Sequence, residues 1–250
     1  MKRPLLVVGA LVIAASASLT SCAPSDTEIL APPFALTSAD VVYPSGQAYP
    51  VNLIFAASAD DPIWTDLTGV ALPGDASVGP GEFEVIRGEG SGGYDLGNIS
   101  FDLEAPREGL SFESVGLIYT GATEPVQSPV GSWSFSLAEP QEFATEDAGQ
   151  AVAAMTGCTS ADFPLPPSTS SVESFETGSD DVRLEDMQFR PETETLTVSL
   201  SCDDGSDFQI ISPTLAITTR DGDIRSIRLS PVAIGFQDVD DADLQRILNR

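Results

Sequence analysis

The sequence predicts an all-β protein: an antiparallel β-sandwich-like (Ig-like) region, then a second β-meander region stapled by a disulfide, with two short helices. Three observations carry this. Apolar and polar residues alternate in short runs, as in Ser132-Trp133-Ser134-Phe135-Ser136-Leu137, which is the period of a half-buried strand. Glycine and proline, 21 and 19 of the 250 residues, cluster between those runs at the spacing of a sandwich or barrel. Asp221-Gly222 is a two-residue hairpin signal between two such runs.

The chain opens on Met1-Lys2-Arg3, followed by an apolar stretch from Pro4 to Leu19 and then Leu19-Thr20-Ser21-Cys22. About 16 apolar or small residues fall short of the roughly 20 that a membrane span needs, and they suit the apolar region of a secretory signal at residues 1–21. Leu19-Thr20-Ser21-Cys22 resembles the lipobox of bacterial lipoprotein precursors. That resemblance covers the first 22 residues and implies diacylglyceryl transfer to the Cys22 thiol. It further implies cleavage after Ser21 and an acylated Cys22 as mature N-terminus, at the extracytoplasmic face of the membrane. An ordinary cleavable signal ending by chance in this pattern is the alternative. Two or more acyl chains hold stably, because each buried CH₂ contributes about 0.8 kcal/mol. Removal of Lys2 and Arg3 would leave nine arginines against 38 acids, a formal charge of −29.

Residues 22–33 (CAPSDTEILAPP) have linker composition and could reach up to roughly 35 Å from the membrane. Residues 34–140 form the sandwich-like region. Its clearest alternating strands are Phe83-Glu84-Val85, Ile99 to Leu103 and Ser132 to Leu137, while Val51 to Ala57 and Val115 to Tyr119 read as more fully buried strands. Gly88-Glu89-Gly90-Ser91-Gly92-Gly93 matches G-x-G-x-x-G, yet strand alternation resumes at Tyr94 where a dinucleotide site needs a helix; a hairpin loop is expected.

A helical connector is expected at 141–157. Thr145 would cap it, Glu146 and Asp147 lie in its first turn, an alanine-rich run leads to Met155, and Gly157 stops it. Residues 158–250 form the second β region, one domain with the first or a separate one. Thr195 to Leu229 reads as a three-stranded antiparallel meander with turns at Asp203-Asp204-Gly205-Ser206 and Asp221-Gly222. Asp240 to Arg250 closes the chain as a helix, with Leu244, Ile247 and Leu248 on one face.

Three cysteines are an odd count, and assigning Cys22 to lipid leaves Cys158 and Cys202 as a pair. Outside the cytoplasm they oxidise, and two free buried thiols are the alternative.

Composition removes several chemistries. The chain contains no histidine, and Lys2 is its only lysine. Ser-His-Asp and Cys-His nucleophile pairs, imidazole metal ligands, P-loops and Schiff-base lysines are therefore excluded. A formal charge of −27 speaks against nucleic acid as a partner, since a polyanion is bound through a basic surface. A carboxylate pair needs neither missing residue, so glycoside hydrolysis stays chemically open.

No cofactor is expected. The candidates for a cation or sugar site are Asp60, Asp61 and Asp66, which flank Trp64. Asp238, Asp240, Asp241 and Asp243 lack the glycine and glutamate of a calcium loop and fit helix capping better. Asp203, Asp204, Asp207, Asp221 and Asp223 read as turn residues. The arginines of the second region read as cross-strand ion-pair partners. The expected function is a membrane-anchored module binding an envelope protein or glycan, the alternatives being a carboxylate-dependent hydrolase and a calcium-stabilised adhesion-type domain.

Overall fold

The computed structural model describes residues 29–74, 76–144, 153–155, 157–203, 205–235 and 241–249. The chain is all-β and sandwich-like. Its first half supplies β1 (Thr37–Pro44), β2 (Tyr49–Ser58), β3 (Leu67–Ala71), β4 (Ser77–Val78), β5 (Phe83–Ser91), β6 (Tyr94–Leu103), β7 (Leu110–Tyr119) and β8 (Val126–Ala138). The second half adds β9 (Ala153–Met155), β10 (Ser160–Pro164), β11 (Thr169–Glu176), β12 (Val182–Arg190), β13 (Thr195–Cys202), β14 (Phe208–Ile211), β15 (Thr214–Thr219), β16 (Ile224–Arg228) and β17 (Val232–Ile234). Helix α1 (Asp241–Leu248) follows.

An eight-stranded sheet in the order β4-β3-β7-β8-β1-β14-β17-β9 takes strands from both halves. The sheet β2-β6-β5 covers its first part, and the main core lies between them. Alternation decides which side chains meet there: Val51, Leu53 and Phe55 from β2 face Val41, Tyr43, Trp133 and Phe135. Trp133 is 1% exposed, clusters with Phe112 and Phe135 at centroid distances of 6.0 and 5.8 Å, and donates its indole N–H to Val130 O. A second core gathers Phe163, Leu196, Val198 and Leu200 with Phe175, Leu215 and Ile217 from the sheets β10-β13-β12 and β11-β15-β16.

Four expectations need correcting. The large sheet is mixed rather than antiparallel, because β1 runs parallel to both its neighbours, β8 and β14, and β17 runs parallel to β9. The meander is divided: Thr195–Cys202 pairs with β10 and β12, while only β15 and β16 form the hairpin across Asp221-Gly222. The cause lies in Phe208–Ile211, all four of whose residues are buried. Phe208 packs on α1, Ile210 enters the first core and Ile211 the second, so this segment can serve only inside a large sheet. Pro213, which has no N–H to donate, separates it from β15.

The connector helix is the third correction. Residues 145–152 and 156 lie outside the described residues, and Ala153–Met155 is a strand bonded to Val232–Ile234, which places Met155 in the second core. Lastly, the glycine-rich hairpin has a shorter loop than expected. Gly88 to Ser91 continue β5, and the turn is Gly92-Gly93 with φ of 65° and 89°. The C-terminal helix forms as expected and buries Leu244 and Ile247 against Ala35 and Ala56; Asp238 and Asp240 lie outside the described residues.

Gly131 explains how β1 approaches β8 so closely. Its φ is 89°, and a Cβ there would lie 2.2 Å from Thr37 O.

Candidate functional site

Asp40 and Val42 of β1 lie level with Ser134 and Ser136 of β8 and point to the face opposite the core. The turn after β11 folds over that face and is tied to β1 where Ser38 donates its hydroxyl to Asp181 at 2.8 Å. Beside it the link between β14 and β15 is tied to β1, the Val42 N–H donating to Ser212 Oγ at 2.8 Å. Gly178 at the bend has φ of 78°, and a Cβ there would meet Ser212 O at 2.9 Å.

The result is an open groove made of two adjoining concavities, about 530 and 350 Å³, that share Asp40, Glu176 and Gly178. Asp180 and Arg183 extend one end; Ser134, Ser136, Thr214 and Arg228 line the other. Arg228 Nε stands 3.4 Å from Glu142 Oε2, and its Nη1 is 3.5 Å from Thr214 Oγ1. Partial burial, reinforced by Asp180 and Asp181, holds the Asp40 carboxyl above its ordinary value of 3.8. Carboxylates, hydroxyls and two guanidiniums, one at each end, suit a hydroxyl-rich or amine-bearing ligand. Among the described residues no three Cys, Asp or Glu side chains converge as a metal site.

Asp60, Asp61 and Asp66 turn inward on their own loop. Asp60 accepts from Ser58 Oγ at 2.9 Å, Asp61 caps the 3-10 turn Pro62–Trp64 through the Ile63 N–H at 2.9 Å, and Asp66 accepts from Thr65 Oγ1 at 3.0 Å. Trp64 is an anchor for this loop: it packs on Phe55, donates to Ser58 O at 2.8 Å, and carries the Arg87 guanidinium 4.8 Å above its ring. Burial raises the Asp61 carboxyl, the Ile63 N–H opposes that, and Asp60 adds to it.

Cys158 and Cys202 are bonded, with Cα atoms 5.7 Å apart; Cys22 lies outside the described residues. Arg183–Asp203, Arg220–Glu194 and Arg225–Asp223 are exposed pairs; the first links the start of β12 to the residue after β13, as expected, whereas the second joins two loops and the third joins residues two apart instead of neighbouring strands.

Asp40 and Asp207 are the residues that sequence reasoning missed. An aspartate inside the alternation Ala39-Asp40-Val41 was the available signal for the first. Asp207 gave none. Its side chain is 2% exposed and accepts from the Leu36 N–H at 2.8 Å.

A third concavity, about 590 Å³, opens between Leu72, Val78 and Leu103, with Glu82, Asp102 and Glu104 among its lining residues. No protein-family model matches this chain, and a search of curated proteins finds none with significant similarity.

Proposed function

We propose that this chain is an exported protein, held by lipid on Cys22 at the extracytoplasmic face of a membrane, that binds or scaffolds an envelope protein or glycan without catalysing a reaction. The carrying observation is the pairing of Cys158 with Cys202. A disulfide belongs to an oxidising compartment, and it takes up two of three cysteines, leaving the one that ends the signal-like segment. The groove around Asp40 is the ligand site in this reading, with no nucleic acid as partner because the surface is strongly acidic. Mass spectrometry of the mature N-terminus should find two or three acyl chains on Cys22. Cys22→Ala should move the protein from the membrane to the soluble fraction, and an unchanged membrane fraction would refute the anchor. Binding of peptidoglycan fragments or other envelope glycans to the soluble chain should weaken in Asp40→Asn and Glu176→Gln.

One observation favours a second reading. A carboxyl raised above its ordinary value by burial and by neighbouring acids is what a general acid in glycoside hydrolysis requires, and Asp40 is raised in that way. Turnover of a glycan that disappears in Asp40→Asn would establish the hydrolase; binding without turnover supports the module.

A further inference from the structure

Only seven residues lead from Cys22 to Ile29, and Ile29 and Ala31 already pack against the first core. However they are arranged, seven residues span at most about 25 Å. The sandwich is longer than that: the 13 residues of β8 alone extend about 43 Å. The point of attachment therefore decides which end of the molecule meets the bilayer.

Attachment is at one defined end. Ala56 N–H donates to Pro33 O at 3.0 Å and Ala35 N–H to Ile54 O at 2.9 Å, so the entering chain runs beside the C-terminal end of β2. Ser58, which ends β2, pairs with Tyr94, so the Gly92-Gly93 turn projects from the same end. The loop carrying Trp64 starts there as well.

This end also carries exposed apolar surface. Among the described residues four large apolar side chains are exposed, namely Leu30 (72%), Tyr94 (42%), Ile86 and Ile224. Leu30 lies on the entering chain and Tyr94 at the hairpin tip. Ile86 is on β5 four rungs back, opposite Asn98, while Ile224 belongs to a different sheet. Nothing in a sandwich core requires Leu30 or Tyr94 to be exposed. An aliphatic and a tyrosine side chain together suit the headgroup boundary of a bilayer.

Resting on the lipid anchor proposed above, we infer that this end, through Leu30 and the Gly92–Tyr94 tip, is a contact surface for the lipid bilayer. The opposite end, with the concavity between Leu72, Val78 and Leu103, then faces away from the membrane. Asp60, Asp66 and Glu89 at the near end direct the contact to zwitterionic rather than anionic headgroups.

The test couples the mature chain, residues 22–250, through its Cys22 thiol to a maleimide lipid in a phosphatidylcholine nanodisc containing a headgroup spin label. Cys158 and Cys202 are occupied by each other and do not compete. Amide signals of Leu30 and Gly92 to Tyr94 should lose more than half their intensity, while those of Gln47, Glu104 and Glu108 keep theirs. Equal loss at both ends, or loss at the far end alone, would overturn the orientation. In the double variant Leu30→Ser, Tyr94→Ser the loss near Gly92 should fall at least twofold. An unchanged loss there would mean that the tether alone acts and would overturn the contact. Because the lipid is attached chemically, absence of acyl chains from native Cys22 would defeat the anchor reading separately.

Discussion

Asp207 joins parts of the chain that lie 171 residues apart. Its carboxylate accepts from the Leu36 N–H, its own N–H donates to Leu36 O at 2.8 Å, and Arg246 of α1 stands 3.8 Å from its other oxygen. Removal of the side chain leaves a Leu36 donor unmet, a loss of about 1–3 kcal/mol. Asp207→Ala should therefore lower the unfolding free energy, read from urea titration, by that much, and Asp207→Asn, which keeps an acceptor, by distinctly less. Asp40 makes a prediction of a different kind. A carboxyl raised in the folded state contributes stability that is full below its ordinary value of 3.8 and is lost as pH rises through the folded value. The advantage of Asp40→Asn over the parent chain should grow over that acid range and stay level above it, as read from urea midpoints against pH. The sequence signals an aspartate within a strand at Asp40 but neither residue's partners. Asp207 sits in a run of turn formers, and its partner is remote; Asp40 becomes special only when the turn after β11 folds over it.

Elements were legible to the extent that they are local. Alternation in Ile99 to Leu103 and Ser132 to Leu137 depends on neighbours two residues away, and both runs are strands. Strand partners depend on distant sequence, which is why Thr195–Cys202 was placed beside the wrong neighbour. Phe208–Ile211 illustrates the difficulty: a mostly apolar run, broken only by Gln209, fits a buried strand but does not say which cores it serves. The alanine-rich run to Met155 has helical composition, yet pairing with β17 wins for its last three residues. The cysteine pair was legible by counting alone. It closes a separation of 44 residues, so the Cys158→Ser, Cys202→Ser variant should lose about 4 kcal/mol of unfolding free energy. Denaturant titration beside the oxidised parent measures the loss.

At the scale of the molecule, 38 acids face 11 bases, and most of the arginine pairs are solvent-exposed. Exposed pairs contribute little, whereas self-repulsion among unpaired acids opposes compaction and is screened at a Debye length of about 10 Å in 0.1 M salt. The melting temperature should rise between 10 and 300 mM sodium chloride. Calcium at 1 mM should raise it no more than magnesium, because the described acids gather in no cation site. A rise specific to calcium and reversed by chelator would instead establish the adhesion-type reading.

The central place of β1 also governs how this chain can acquire its structure. Thr37 pairs with Gly131 on one side and Phe208 on the other, contacts 94 and 171 positions along the chain. A strand near the beginning waits for partners near the end, and such high contact order places folding in about the millisecond-to-second range. Under the export proposed above, such a chain would stay unfolded while it is threaded outward. Truncation before β14 should leave β1 as an open edge and yield aggregates rather than a smaller soluble sandwich.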